Sequence, residues 1–429
     1  MASLQYLEAD TEGVISRPAF FRQYQRSHPW ITFELDLRKA GYSLWLLLGE
    51  ARSKCDHIAG VPLFPSVAKE LNKVYLVKGV HGTTAIEGNT LTEDQVAMEI
   101  EGRLEVPAFL EYQRREVMNV ENGLHDAVTL VMTQPPGQPL DRERIQRFNA
   151  TVLDGLNLPD HAIPGEIRKV SVGVQGANYR GAPDEDCEFL LERMCEWLNT
   201  MDLQGVLPGL GTAAAGIMRA VLAHLYLAWI HPFGDGNGRT ARLLEFYILV
   251  DAGLPPLCAH LFSDLYNATR PEYYRQLQYA SESGGDVLPF IEYAVGGFVE
   301  SLRDQLTAIR RQQLRISWRD YVNEQFEDTS STANLRQRNL VHDLSYEDVP
   351  VAKARLTSLS ARTAAAYAGK TFKTVTRDVN RLLGMGLVNR ESKGFTANKG
   401  LVLAFRPLRR PPAEAFVGPP PELFIGGDA

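Results

Sequence analysis

Residues 231–242 gather a histidine, an aspartate, three glycines and two arginines into one short run, His231-Pro-Phe-Gly-Asp-Gly-Asn-Gly-Arg-Thr-Ala-Arg242. An apolar stretch with helical spacing precedes it over 213–229, and a second helical stretch follows to about residue 252. The order is therefore helix, glycine-rich loop, helix. Such a turn aims the amides of Gly236, Asn237 and Gly238 and the positive end of the second helix at one point, which suits a phosphate. Arg239 and Arg242 stand three apart in the first turns of that helix and share a face. Two cations at a helix N-terminus are unfavourable unless an anion is present. Asp235, set among phosphate-binding groups, suits Mg²⁺ bridging phosphate oxygens. His231 offers a base that is competent near neutral pH, and Phe233 reads as the loop's core anchor. Base, metal carboxylate, amide cradle and paired arginines are the parts needed for phosphoryl or nucleotidyl transfer.

The elements that position this loop are mostly helical. Apolar residues from Val67 to Val80 recur at helical spacing after Pro65, and this helix stops near Gly88-Asn89. Thr92-x-x-Gln95 fits a capping box that opens the next helix. Helices are expected over 139–160 and 184–199. Between them, Val170, Val172 and Val174 alternate before Gly176, the pattern of a short hairpin. A Gly/Pro loop covers 205–211, and Gly253 with Pro255-Pro256 stops the helix that follows the 231–242 loop. Helices continue to about residue 327.

Composition sets the frame. The 429 residues carry a net charge of −7. Residues 351–410 hold 13 Lys and Arg against 2 Asp and Glu, a net of +11, which leaves −18 for the rest. A basic block on an acidic chain fits a nucleic-acid contact or an acidic partner face. The start of the chain lacks a basic segment followed by an apolar run, and the apolar run 221–230 is too short to span a bilayer, so a cytoplasmic protein without membrane contact is expected. Cys55, Cys187, Cys195 and Cys258 form no C-x-x-C pair and read as buried free thiols.

The string from His231 to Arg242 resembles the signature of the Fic family, H-x-F-x-[D/E]-G-N-G-R-x-x-R, at every fixed position. The resemblance implies a helical core that transfers AMP from ATP to a Ser, Thr or Tyr hydroxyl of a target protein. It implies that His231 deprotonates the hydroxyl and that Asp235 holds Mg²⁺. Gly236, Asn237 and Gly238 would cradle the α- and β-phosphates, with the Asn237 side-chain amide taking part. Arg239 would steady the phosphates and Arg242 would meet the γ-phosphate. Doc-type kinases of the family carry Lys where this chain has Gly238, so Gly238 favours AMP transfer over phosphate transfer.

Thr83-x-x-x-Glu87-Gly88 fits the family's inhibitory motif, in which the glutamate pairs with the second arginine and displaces the γ-phosphate. Its other reading is a plain helix C-cap. A glutamate in a helix's last turn is poorly placed for the dipole and is relieved by a cation; Arg242 needs an anion when ATP is absent. In some relatives the same glutamate positions water to remove AMP. Residues 170–178, with Val170, Val172 and Val174, match the family's flap, which clamps the target segment by main-chain pairing. Asn267, Arg270, Tyr273 and Tyr274 resemble the helix that closes the nucleotide pocket; Tyr273 and Tyr274 could stack on adenine or belong to the core.

The expected architecture is mainly α: an N-terminal helical region with the inhibitory helix (1–120), a Fic core with a β-hairpin flap (121–327), a linker (328–341), a winged helix-turn-helix (342–406) and a Pro-rich tail (407–429). In the winged unit, residues 371–383 form the recognition helix, with Lys373, Arg377 and Arg381 outward. Strands at 386–390 and 400–405 flank a wing carrying Lys393. DNA is one expected partner of this unit; packing, target docking or a homodimer are the others. The rival functions are a DNA-binding regulator whose core senses nucleotide, and an enzyme that removes AMP.

Overall fold

A computed structural model describes residues 22–135, 137–173, 179–201, 203, 211–326 and 331–403. They fall into two compact units that divide between Leu302 and Arg303. The helices of the first are α1 (Tyr24–Ser27), α2 (Tyr42–Ala59), α3 (Pro65–Ile86), α4 (Glu93–Ile100), α5 (Glu111–Thr133), α6 (Arg142–Leu153), α7 (Asp184–Thr200), α8 (Gly211–Ile230), α9 (Asn237–Asp251), α10 (Pro256–Ala259), α11 (Leu261–Ala268) and α12 (Arg270–Glu282). Helix α13 (Leu288–Gln325) contributes residues to both units.

Helix α8 is the centre of the first unit. From Ala220 to Leu227 every residue is buried, His224 included, and α2, α7 and α9 pack around it. By length and composition this helix could cross a membrane, which the shorter apolar run read from the sequence does not reveal. A helix apolar all round has no solvent face to offer, and here neighbouring helices cover it. Helix α3 starts with Pro65 in its first turn and packs on α11 and α5. Helix α4 opens on the expected capping box: Gln95 N donates to Thr92 Oγ1 at 3.3 Å and Thr92 N to Gln95 Oε1 at 3.0 Å. All four cysteines are buried and free. The N-terminal helices and the loop 231–238 belong to the same compact unit.

The expected flap hairpin is sparse. Gly173 bridges Arg180, and Gly181 N donates to Val172 O at 3.2 Å. Val170 and Val172 lie in irregular chain rather than in a strand, and Val174 falls outside the described residues.

The second unit differs from expectation at two places. Residues 332–341 are not linker: α14 (Thr332–Leu344) begins there, with Ser331 Oγ accepting from Ala333 N at 3.2 Å. After it come α15 (Ala361–Tyr367) and α16 (Phe372–Gly384). The hairpin is β1 (Val388–Glu391) against β2 (Gly394–Ala397), in the register Val388↔Ala397 and Glu391↔Gly394. Of the strand expected at 400–405, the described residues 400–403 form no strand, and Lys399–Val402 is a 3₁₀ turn; residues 404–405 lie outside the described residues. Pairing across the two-residue tip Ser392-Lys393 closes a shorter loop than pairing with 400–405 would. Val351 also pairs with Phe395 through two 2.9 Å hydrogen bonds. Trp318, Leu340, Leu344, Val379, Leu382 and Phe395 build this unit's own core.

Candidate active site

The loop between α8 and α9 is tied from within. Phe233 is fully buried and anchors it. Phe233 N donates to Asn237 Oδ1 at 2.9 Å, and Asn237 Nδ2 donates to Phe233 O at 2.8 Å. The Asn237 side chain thus closes the turn with both ends of its amide. One Nδ2 hydrogen remains beyond the bond to Phe233 O, and the backbone amide of Asn237 stands at the start of α9. Gly236, at φ 74°, is the N-cap of α9.

His231 sits at φ 51°, a left-handed conformation uncommon for a residue with a side chain. Its Nδ1 lies 3.4 Å from Ala228 O. With the proton on Nδ1 facing that carbonyl, Nε2 is the basic nitrogen. Burial pushes the imidazole pKa down to about 4, with Arg168 acting in the same direction, so the ring is neutral at neutral pH.

Asp235 accepts from Gly236 N at 2.5 Å and from Arg239 Nη2 at 3.0 Å, both on Oδ1. No group of three or more His, Cys, Asp and Glu able to hold a metal occurs among the described residues. A single loop carboxylate fits Mg²⁺ that draws its other ligands from phosphate oxygens and water, as Mg²⁺ commonly does beside nucleotides.

Arg239 and Arg242 are both buried, and each is met by a carboxylate from an N-terminal helix. Arg239 Nη1 donates to Glu116 Oε1 on α5 at 2.5 Å. Arg242 Nη2 donates to Glu87 Oε1 at 2.5 Å and to Thr83 O at 3.0 Å. Burial alone would raise the Glu87 pKa, but the Arg242 guanidinium outweighs it and holds the carboxyl below its ordinary value. Burial dominates at Glu116 and raises its pKa despite Arg239. Asn89 Nδ2 donates to Glu116 Oε2 at 3.0 Å, so the segment 87–89 reaches both arginines, one directly and one through Glu116. Gly238 is required by this packing: a Cβ there would lie 2.2 Å from Glu87 Oε1.

The residues read as an adenine pocket separate. Tyr273 is a core residue, its hydroxyl 2.8 Å from His224 Nε2 and its ring stacked on Tyr266 at 4.8 Å. It has no free face for a base. Tyr274 is half-buried and keeps that option. Arg270 Nη2 donates to Ala85 O and to Asn267 Oδ1, both at 2.7 Å, and so holds the C-terminal end of α3.

Two residues of the site escaped the sequence reading, Glu116 and Arg168. Glu116 does leave a signal, because it stands four before Val120 and seven before Gly123 on the buried stripe of α5. Arg168 Nε donates to His231 O at 2.7 Å.

Residues 139–249 match the Fic/DOC family model. That segment holds the whole run from His231 to Arg242. It is 30% identical over 250 residues to "Protein adenylyltransferase Fic" of Nematostella vectensis, covering 58% of this chain and 52% of that one. The Drosophila mojavensis protein of the same name is 27% identical over 301 residues, covering 67% and 54%. The chain thus spans about half the length of the curated relatives it matches. Among solved structures, a Fic family protein from Desulfovibrio desulfuricans G20 aligns with TM-score 0.52 at 19% identity, over 84% of this chain and 94% of its own. Fic-1 from C. elegans aligns with TM-score 0.50 at 26% identity, over 62% and 72%. The mainly helical Fic fold expected from the sequence is the one observed.

Proposed function

We propose that the protein transfers AMP from ATP to a hydroxyl of a target protein and is held in check by Glu87. The observation that carries this is the convergence of a neutral, half-buried His231, the α9 N-terminal amides and two buried arginines at one loop. In the proposed reaction His231 Nε2 takes the hydroxyl proton. The hydroxyl oxygen bonds to the α-phosphorus, the bond to the bridging oxygen breaks, and pyrophosphate leaves. The backbone amides of Gly236, Asn237 and Gly238 and the guanidinium of Arg239 stabilise the phosphate charge. Asp235 is the residue that would hold Mg²⁺, which supplies charge neutralisation at the phosphates when bound.

The ion pair between Glu87 and Arg242 supports the brake. It occupies the guanidinium needed by the γ-phosphate, so ATP would bind with its α-phosphate out of line. In full-length protein, Glu87→Gly is expected to raise incorporation of α-labelled AMP into lysate proteins at least about 10-fold, a bias of about 1.4 kcal/mol. Glu87→Gly with Arg242→Ala, and His231→Ala alone, are expected to be inactive. Equal labelling by the parent and a folded Glu87→Gly variant would remove the brake. Loss of AMP from a pre-labelled target, abolished by Glu87→Gly, would mark an AMP remover instead.

The second unit supports a separate reading as a winged helix-turn-helix that binds duplex DNA. Three helices followed by a tight hairpin match that module in order, and Lys373, Arg377 and Arg381 are exposed on α16. The four unpaired thiols suit the reducing interior of a cell.

A further inference from the structure

Arg168 lies just ahead of the flap and is almost fully buried. Among the described residues no carboxylate pairs with it. Its guanidinium is instead directed at three backbone carbonyls. Nε donates to His231 O at 2.7 Å, Nη1 donates to Val170 O at 2.7 Å, and Nη2 donates to Ala182 O. Val170 is on the outgoing arm of the flap and Ala182 on the returning arm. One side chain therefore joins both arms of the clamp to the residue read as the base.

The main chain repeats the connection. Arg168 N donates to Pro232 O at 2.9 Å, Ile167 bridges Phe233, and Ala182 N donates to Ile230 O at 3.2 Å. The returning arm packs directly on the histidine: a Cβ at Gly181 would lie 2.7 Å from His231 Cβ and 2.9 Å from Arg168 Nη2. An isolated buried cation is costly, and core arginines are ordinarily paired with carboxylates. A planar fork with fixed donor directions is suited to holding three carbonyls in one arrangement, which a lysine ammonium on a flexible stem is not. His231 needs such support, because its own backbone sits at φ 51°.

We propose that Arg168 is a positioning residue that fixes the flap, and with it the clamped target segment, relative to the His231 ring. The inference rests on the reading of His231 as the base. Arg168 contacts neither the Gly236–Gly238 amides nor Arg239 or Arg242 through any of the three bonds, so its effect belongs to acceptor alignment and not to nucleotide binding. Displacing a reacting group by about an ångström can cost on the order of 100-fold in rate.

The test uses full-length protein carrying Glu87→Gly, α-labelled ATP and a cell lysate as acceptor. Arg168→Ala is expected to lower transfer on the order of 100-fold while ATP affinity stays within about twofold. Free guanidinium at millimolar concentration is expected to restore at least a tenth of the loss by refilling the cavity. Arg168→Lys, which preserves charge and bulk, is expected to be impaired and not rescued, because its stem fills the cavity. Transfer by folded Arg168→Ala within about threefold of its parent would overturn the inference and leave the enzyme reading intact. So would an equal loss of transfer and ATP affinity without guanidinium rescue, the mark of a merely structural residue. If Arg168→Ala does not fold, Arg168→Lys at parental rate overturns it equally. An inactive Glu87→Gly parent removes the base reading and this inference with it.

Discussion

Glu87 and Gly238 are matched at atomic range. Any side chain at position 238 would place its Cβ 2.2 Å from Glu87 Oε1 and 3.2 Å from Arg242 Nη1. The glycine thus leaves room for the Glu87 carboxylate, and on the proposed reading also for a phosphate approaching its amide. The two demands separate in a double-mutant cycle. Gly238→Ala is expected to destabilise the protein that has Glu87, because the carboxylate is pushed off Arg242 and a buried guanidinium loses its partner. The same change in Glu87→Gly protein meets only the movable end of Arg242 at 3.2 Å and should cost less. The coupling, read from urea unfolding of the four proteins without nucleotide, is expected at about 0.5–3 kcal/mol. Strict additivity would show that Glu87 does not sit against Gly238 in solution. The chemistry of the loop was legible in the sequence because its residue types are unusual together and adjacent. Glu116 and Arg168 were not, because each acts across the fold, Glu116 from α5 and Arg168 from irregular chain ahead of the flap. For a related reason the sequence shows that Asn237 has a side-chain amide but not that Phe233 engages both of its ends.

At the scale of elements, α14 and α16 show how a polar composition conceals a packed helix. Residues 332–341 resemble a linker by composition, yet Leu340, Val341 and Leu344 are buried, and Arg336 and Gln337 point inward. Their partner is Asp378 in the middle of α16. It accepts from Arg336 Nε at 2.7 Å, Gln337 Nε2 at 2.7 Å and Tyr367 OH at 3.1 Å. Burial alone would raise the Asp378 pKa, but the bonds from Arg336 and Gln337 outweigh it and hold it below 3.8. The stabilisation is therefore complete above 3.8 and is lost as pH falls through the lower folded value. Asp378→Ala leaves the Arg336 guanidinium buried without a counter-charge. Unfolding of the unit that contains Trp318 is expected to lose about 3–5 kcal/mol, read from its denaturant midpoint. A loss below about 1 kcal/mol would show the cluster to be solvated in solution. Periodicity reveals the apolar face of such a helix; it does not reveal that a carboxylate two turns along another helix will recruit its polar residues to the same side. Residues 400–403 form no strand for the opposite reason, since apolar residues were present but the chain found a nearer pairing partner across Ser392-Lys393.

Over the whole molecule, charge is unevenly distributed along the chain, with +11 in residues 351–410 against −18 elsewhere. That division was plain from sequence, while its consequence depends on where the cations point. On α16 the only acidic residue is Asp378, which faces inward, and Lys373, Arg377 and Arg381 are exposed on the other side. Arg390 and Lys393 add two exposed cations at the hairpin. A helix whose single negative charge is neutralised internally presents an unopposed basic face. For duplex DNA, affinity should fall steeply with salt, because each neutralised phosphate releases counterions. Replacing Lys373, Arg377 and Arg381 by Gln in the full-length protein removes up to three phosphate contacts. The slope of log K against log salt is then expected to become shallower by about 2.7, from about 0.9 per contact. Fluorescence anisotropy on a labelled duplex over a salt series measures it. An acidic protein surface would also lose affinity with salt, but no DNA would be bound by either protein at low salt. A full-length protein that ignores duplex DNA at low ionic strength therefore assigns the basic face to a protein partner, and the transferase reading of the first unit stands unchanged.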